Sequence, residues 1–465
     1  MTVMSESDLA NLDRAALIAL ILQQAAMIEQ LRVEIEQLKR GNARQAAPFS
    51  KGRTVRDPKR PGRKPGQGPF RRREAPAPEQ LAEPPIDVPV AEGDCPGCGG
   101  ELLPERVEEA SITDLPPIVR PRVRLFRVAV ARCARCGRSV RGRHRELAPD
   151  QRGATAHRLG PRLLAAAHHL HYGLGVTVRK LPEVLGLLCG VRLTQGAITQ
   201  DALRRCERTV AATYRGLADS IREAPYAHTD DTGWRVGGRP AWLMTFVTDT
   251  TTLYQVRERH RNEEVRERIP SDYAGVMITD RGKSYDASEL AGVRRQVCLA
   301  HVQRSITEVV DTKAGKSRWF GSHLKGLLKR ALALHHEREA GPPAADFEAR
   351  ACRLERELTD HLRDRVLRDD DNQRLLDGLG RHHDAGSLVR FLKEAGIAPT
   401  NNAAERALRP AVISRKVSQC TKTVRGTRAF EAWTSVLATW GRALSGAALL
   451  DAIVSRAYPI AAESV

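Results

Sequence analysis

The sequence predicts a multidomain α+β protein: a long N-terminal helix, a small cysteine-bearing unit, a helical domain, and an α/β core interrupted by a helical insertion. Three observations predict it. A heptad stripe runs through residues 8–40, two Cys-x-x-Cys pairs sit at Cys95/Cys98 and Cys133/Cys136, and from Tyr226 the apolar period changes from helical to strand-like. A chain of 465 residues is long enough for two or three separate cores.

The helix comes first. Ile21, Ile28 and Ile35 share one seam position, and Leu17, Gln24, Leu31 and Leu38 share the other. Ile at a with Leu at d favours a parallel two-stranded coiled coil, and the polar Gln24 can set its register. Residues 8–40 therefore predict a zipper and a homodimer. The alternative is an amphipathic helix packed on its own domain.

Residues 41–84 change character. Gly41 to Arg73 holds eleven Lys or Arg against one acid, Asp57, with Pro and Gly throughout. Such a segment cannot bury enough apolar surface to fold alone, which predicts a flexible basic linker. Arg60, Arg63, Lys64, Arg71 and Arg72 are its candidate phosphate contacts. A plain solvated linker is the rival reading.

Residues 85–150 predict a zinc-binding domain. Cys95, Cys98, Cys133 and Cys136 form two knuckles, each followed by Gly, that can turn four thiolates onto one tetrahedral Zn²⁺. Four protein ligands leave no open position, so this zinc is structural. Val123–Val130 between the knuckles reads as a strand.

Residues 151–224 predict helices. Val178–Leu188, Gly190 and Thr194–Arg208 have the look of a helix-turn-helix, with Thr194 as the cap of the second helix. Strands follow at Ala227–Val236, Pro240–Thr248, Thr252–Arg257, Ala274–Thr279 and Arg294–Val297. Ala274–Thr279 is almost continuously apolar, as a strand buried on both faces must be. These strands place a core domain at 225–445, with a charged helical insertion at 302–399 and a C-terminal tail at 446–465.

Charge and hydropathy bound the function. Lys and Arg number 75 against 56 Asp and Glu, a net charge of +19. That surplus points to a polyanion, nucleic acid before membrane. No apolar run is long enough to span a bilayer, and no secretory signal is visible. A cytoplasmic protein is expected, nucleoid-associated when bound to DNA. Nine cysteines is an odd number and suits metal ligation better than a disulfide framework.

Three acids are the candidate chemical centre: Asp230 in its strand, Asp280 where the fourth strand leaves the sheet, and Glu405 one helical turn beyond Asn401-Asn402. A carboxylate at the end of a buried strand is costly unless it faces a cation. Such a cluster suits two Mg²⁺ ions, which take oxygen ligands. Asp230 and Asp231 alternate across the strand, so only one faces a shared site. Arg406 and Arg409 flank Glu405 and are candidate phosphate contacts. Cys298 and His301, three residues apart, read as packing plus a carboxylate or DNA contact rather than a second zinc. Trp234 reads as a packing residue, with base stacking as the alternative.

The flanks of these acids carry a resemblance. His228-Thr-Asp-Asp-Thr-Gly-Trp-Arg-Val236, Thr279-Asp-Arg-Gly-Lys-Ser-Tyr-Asp286, Cys298-Leu-Ala-His301 and Asn401-Asn-Ala-Ala-Glu-Arg-Ala-Leu-Arg-Pro410 are similar to segments of the IS66 family of bacterial insertion-sequence transposases. The order of zipper, basic arm, zinc unit, helical region and core matches as well. The resemblance implies an RNase H-like core whose Asp-Asp-Glu (DDE) triad is Asp230, Asp280 and Glu405. It also implies metal-dependent strand cleavage and transfer on double-stranded DNA, at element terminal repeats and at a target, with small accessory element-encoded proteins as partners. The family usually carries Glu where this chain has Asp231, and Asp where it has Thr400. Thr is a somewhat poorer N-terminal helix partner, which predicts a looser start to the Glu405 helix. The competing functions are a catalytically inactive DNA-binding regulator and a structure-selective nuclease.

Overall fold

The computed structural model describes residues 13–44 (side chains to 31), 77–80, 84–88, 96–101, 103, 110, 121–148, 150–363 and 365–459. They fall into two compact units: a smaller one of residues between 50 and 122 with Leu188–Gly190, and a larger one of the rest. The basic-arm residues Arg60, Arg63, Lys64, Arg71 and Arg72 lie outside the described residues, as does Cys95.

The first helix, α1, spans Arg14–Arg44. Ile21, Ile28 and Leu31 on its seam are exposed, as are Ile18, Leu22 and Met27. Ile35 and Leu38 lie beyond the last described side chain of this helix.

In the smaller unit, Pro96–Cys98 form a turn and Gly99 follows at φ +69°. In the larger unit, β1 (Val130–Arg132) and β2 (Ser139–Arg141) form an antiparallel hairpin around Cys133–Cys136. Cys133 N–H donates to Arg138 O at 2.8 Å, Gly137 N–H returns to Cys133 O at 2.9 Å, and Gly137 also takes φ +69°. Each Cys-x-x-Cys pair thus ends in a left-handed glycine, a conformation that carries no Cβ penalty there. The strand expected at Val123–Val130 is largely absent: regular pairing starts only at Val130. Residues 123–129 run mostly exposed, tied by Arg124–Glu146 and by Phe126 against His144, so no sheet face buries their alternation.

Helices α2 (Pro161–His168), α3 (Leu181–Cys189), α4 (Gln195–Arg205) and α5 (Ala211–Glu223) follow. The Gly190 turn at φ +65° joins α3 to α4, and Thr194 Oγ1 accepts the Ala197 N–H at 3.2 Å, the cap the sequence predicts. Five-residue π stretches after α2 and α4, His169–Gly173 and Cys206–Val210, widen the backbone spiral.

The core is one five-stranded sheet in the order β5-β4-β3-β6-β7. Its strands are β3 (Tyr226–Val236), β4 (Arg239–Val247), β5 (Thr252–Arg257), β6 (Val276–Thr279) and β7 (Arg295–Val297). The first three meander antiparallel; β6 and β7 add parallel to β3. A short helix, α6 (Asn262–Arg266), lies in the crossover. β6 is buried at every residue, as its unbroken apolar run requires.

One face of β6 packs Val276 and Ile278, joined by Val297 at the end of β7, against α7 (Leu299–Val310) and the helices behind it, α8 (Gly315–Ala340), α9 (Phe347–Leu362), α10 (Asp370–Asp384) and α11 (Arg390–Lys393). On the same face of β3–β5, Trp234, Leu243, Tyr254 and Val256 meet α12 (Asn402–Ser418) and α13 (Val424–Trp440). The opposite face packs Ala227, Met244, Phe246 and Met277 against α5 and the 265–293 segment.

Helix α13 also seals the sheet. β5 is an edge strand, and its outward N–H groups at Thr252, Tyr254 and Val256 donate to Thr439 Oγ1 (3.0 Å), Ser435 Oγ (2.8 Å) and Glu431 Oε1 (2.6 Å). Two strand residues rise about 6.6 Å and four helix residues about 6 Å, so an i, i+4, i+8 ladder on a helix can match alternate amides of a strand. An open edge is thereby closed without another strand.

The segment 446–465, set apart from the sequence as a tail, requires correction. Gly446–Ala457 forms α14, whose Leu449, Ile453 and Ala457 are buried with Tyr458 against α2, α4 and α13. Its apolar spacing is short and follows a Gly-rich turn, so it carries little signal until its partners are known. The described helix reaches beyond the end of the expected core at 445.

Candidate active site

Strand register brings Asp230 and Asp280 towards one end of the sheet. The parallel pairing of Tyr226 with Val276, Ala227 with Met277 and His228 with Ile278 ends two residues short of both acids, which continue their strands at the same offset. Registered partners on parallel strands share a face, and neighbouring strands lie about 4.8 Å apart. Asp280 is the first residue past β6, where the β3–β6 pairing ends and the sheet opens. Its Oδ1 accepts the Gly282 N–H at 2.8 Å, turning the chain away. A Cβ on Gly282 would stand 3.0 Å from that oxygen and 3.2 Å from the Tyr285 ring, so the turn is fitted to glycine.

The helix that carries Glu405 is tied to β3 by a clamp. Asn401 is fully buried at the start of α12, and its Nδ2 donates to Thr229 O at 2.8 Å while its Oδ1 meets His228 Nδ1 at 3.3 Å. The Asn401 N–H points to Cys298 Sγ at 3.1 Å, and Leu299 N–H donates to Pro399 O at 2.9 Å. The starts of α7 and α12 are thus pinned to β3 one residue before Asp230, and Glu405 lies one turn into α12. Asn401, not Thr400, occupies the cap position. The Thr400 departure therefore bears on the residue before the cap. His301 Nδ1 stands 3.7 Å from Glu405 Oε1, the carboxylate contact read from the sequence.

The electrostatics record this crowding. Burial pushes the Asp230 carboxyl up to about 7; the Asp231 N–H at 2.9 Å pulls the other way, and the charges of Asp280, Asp231 and Glu405 push it further up. Neither Asp230 nor Asp280 forms a salt bridge among the described residues, and Glu405 Oε1 is buried without a hydrogen-bond partner. The three acids are near enough for the charges of Asp280 and Glu405 to act on Asp230, but among the described residues the group of metal-ligating type whose ligand atoms all lie within 4.8 Å of one another is Cys298, His301 and Glu405. A hard divalent cation with oxygen ligands is the group that would suit the three carboxyls.

Asp231 turns to the opposite face. Its Oδ2 meets His260 Nε2 at 2.8 Å, and Trp242 stacks on that imidazole at 4.6 Å. Ser284 Oγ lies 3.5 Å from the same Nε2. A nucleophilic relay needs Ser and Asp on different ring nitrogens, so this trio is not one. Trp234 is 3% exposed, stacked on Phe430 at 5.0 Å and bonded to Thr421, which is the packing role. Arg406 and Arg409 lie on the exposed side of α12 and form no salt bridge among the described residues.

Arg295 escaped the sequence reading. Nearly buried on β7, it donates to Thr279 Oγ1 (2.7 Å), Asp280 O (2.6 Å), Tyr285 O (3.3 Å) and Asp286 Oδ1 (2.5 Å). It fixes the backbone on either side of Asp280. The only trace in the sequence was an Arg in a short strand, Arg295–Val297. Asn401 was quoted in a motif, but its grip on β3 had no local signature.

Of the four zinc candidates, Cys98, Cys133 and Cys136 are described and exposed. Hydrogen bonds from the Cys136 and Arg135 backbones hold the Cys133 thiol below its usual range. That is the behaviour of a knuckle whose amides converge on sulfur.

A family model described as the transposase IS66 family matches residues 157–429. No curated protein matches the chain. The matched stretch holds Asp230, Asp280, Cys298, His301 and Glu405, and ends within α13.

Proposed function

Because the chain belongs to the IS66 family of transposases, we propose that Asp230, Asp280 and Glu405 are its catalytic triad, cleaving DNA strands at element ends and joining them to a target. The observation that supports this is the parallel β3–β6 register, which ends two residues before both Asp230 and Asp280, with Asn401 holding the Glu405 helix against β3. The sheet order β5-β4-β3-β6-β7, three antiparallel strands followed by two parallel ones, supports an RNase H-like core.

Mg²⁺, as a pair of ions, would be held by the three carboxylates; when bound it supplies Lewis acidity for an attacking water or 3′-hydroxyl and for the departing 3′-oxygen. The chain's own residues supply position. Arg295 and Gly282 hold Asp280 at the strand end, and Asn401 holds Glu405 in reach. Arg406 and Arg409, without an acidic partner among the described residues, face outward to bind the phosphates that flank the scissile one. No side chain acts as a covalent nucleophile.

The outer modules complete the reading. Residues 8–40 pair two copies into a dimer, the basic arm with Arg60, Arg63, Lys64, Arg71 and Arg72 holds DNA phosphates, and Cys95, Cys98, Cys133 and Cys136 hold a structural Zn²⁺. The zinc proposal rests on sequence spacing and is tested by metal content: about one zinc per chain, lost in Cys133→Ser. The protein works in the cytoplasm on chromosomal DNA, alongside accessory proteins encoded by the same element.

Asp280→Asn tests the central claim. Strand cleavage and transfer should vanish while binding to element-end duplex persists. Undiminished joining of a 3′-OH end by this variant would remove Asp280 from the site.

A further inference from the structure

The buried corner behind Glu405 contains ligands that the triad does not use. Cys298 caps the start of α7 and is fully buried; His301 lies three residues on, on the same side of the first helical turn. Cys298 Sγ, His301 Nδ1 and a Glu405 carboxylate oxygen lie within 4.8 Å of one another. Two of these atoms, His301 Nδ1 and Glu405 Oε1, are buried and lack any hydrogen-bond partner. A buried polar atom without a partner is costly, and two aimed at one point 3.7 Å apart ask for something between them.

We propose that Cys298, His301 and Glu405 form a binding site for a thiophilic divalent cation of the Zn²⁺ class, which withdraws Glu405 from the catalytic set when occupied. The chemistry of the donors selects the ion. Thiolate and imidazole suit Zn²⁺, whereas Mg²⁺ takes oxygen. Bonds of about 2.0–2.3 Å in a tetrahedron put donor atoms roughly 3.3–3.8 Å apart, which the His301–Glu405 separation meets. The sulfur already acts as an acceptor, taking the Asn401 N–H at 3.1 Å. His301 and Glu405 are each about 30% exposed, so an ion can enter from solvent. Three protein donors leave one coordination position open, unlike the four-cysteine unit.

Glu405 cannot serve both sites in full. Zn²⁺ bound here competes with the Mg²⁺-dependent reaction and acts as an inhibitor set by metal supply. This consequence rests on the catalytic reading of Glu405; the binding site itself does not.

The test uses full-length protein carrying one equivalent of zinc, to fill the four-cysteine unit alone, titrated with Co²⁺ and reading the thiolate-to-cobalt absorption band. Wild type should gain the band and Cys298→Ser should not. His301→Gln and Glu405→Gln should each weaken the Co²⁺ affinity by more than about tenfold, while Asp230→Asn leaves it within about threefold. Should Cys298→Ser fail to fold, the two half-exposed positions carry the result. A band of equal strength in Cys298→Ser, or Co²⁺ affinity unaltered by both His301→Gln and Glu405→Gln, would overturn the site; a proton shared by His301 and Glu405 then closes the corner. If the site stands, micromolar Zn²⁺ should raise the Mg²⁺ concentration needed for half-maximal cleavage in wild type, and less so in Cys298→Ser. The cobalt readout needs no DNA, so an inactive Asp280→Asn with no cobalt site would leave the proposed function intact and this inference refuted.

Discussion

Asp230 shows what a single buried carboxyl contributes and costs. Its folded pKa, about 7, stands above the ordinary carboxyl value of 3.8. Between those values the folded state holds a proton that the unfolded chain releases, so without metal the folded state loses stability as pH rises from about 4 to about 7. The full effect is on the order of 4 kcal/mol, reached above pH 7. Asp230→Asn removes it, and thermal unfolding in chelator should show the variant a few degrees more stable than wild type at pH 8 and little different at pH 4. Excess Mg²⁺ should erase the advantage, because the ion stabilises the charged form. A variant less stable at pH 8 in chelator would mean that Asp230 is not under this strain. Asn401 works in the opposite sense. Its amide satisfies Thr229 O and meets His228, so Asn401→Ala should destabilise the fold by about 1–3 kcal/mol in denaturant unfolding. Cleavage should fall further than stability accounts for, since Glu405 loses its anchor.

Single elements carry more than one task. Helix α13 closes the β5 edge with Glu431, Ser435 and Thr439, and its Trp433 donates to Ala202 O at 3.1 Å on α4. The helical layer and the sheet therefore meet in one helix, and the boundary expected at residue 224 is not a break in packing. Ser435→Ala leaves the Tyr254 N–H buried without an acceptor and should cost about 1–3 kcal/mol in urea unfolding, whereas the exposed Arg409→Ala should stay within about 0.5 kcal/mol. Equal, negligible effects would refute the edge-sealing role. Helix α14 belongs to the same layer. Deleting residues from Gly446 onward uncovers Trp433 and its neighbours and should lower the unfolding midpoint by many degrees, an outcome that a free tail would not give.

At the scale of the whole molecule, two features point outward. Helix α1 leaves Ile21, Ile28 and Leu31 exposed on one seam, a stripe that a second copy can cover. Removing residues 1–44 should halve the mass measured by light scattering; an unchanged mass would dismiss the zipper. The net charge of +19 makes DNA binding salt-dependent. Replacing Arg60, Arg63, Lys64, Arg71 and Arg72 together by Ser should reduce the slope of log K against log salt by about 4–5, if each neutralises one phosphate. A slope that does not move would free the arm from DNA. No described helix is long and apolar enough to cross a membrane.

The sequence by itself determined most of the core elements and proposed the acids of the site. Alternation and apolar runs set all five core strands to within about two residues, and the motifs around Asp230, Asp280 and Glu405 named the acids. These are local properties: periodicity, capping and turn chemistry act over a few residues and are written in neighbours. Only the tertiary structure decided what depends on partners far apart in the chain. Strand register carried β3 and β6 in parallel towards Asp230 and Asp280, Asn401 tied the Glu405 helix to β3 across more than a hundred residues, and α13 found the open edge of β5. The Cys298–His301–Glu405 corner arises the same way, from two helix starts meeting over one strand. Val123–Val130 marks the reverse case: its alternation alone could not make a strand, because no second face was there to bury it.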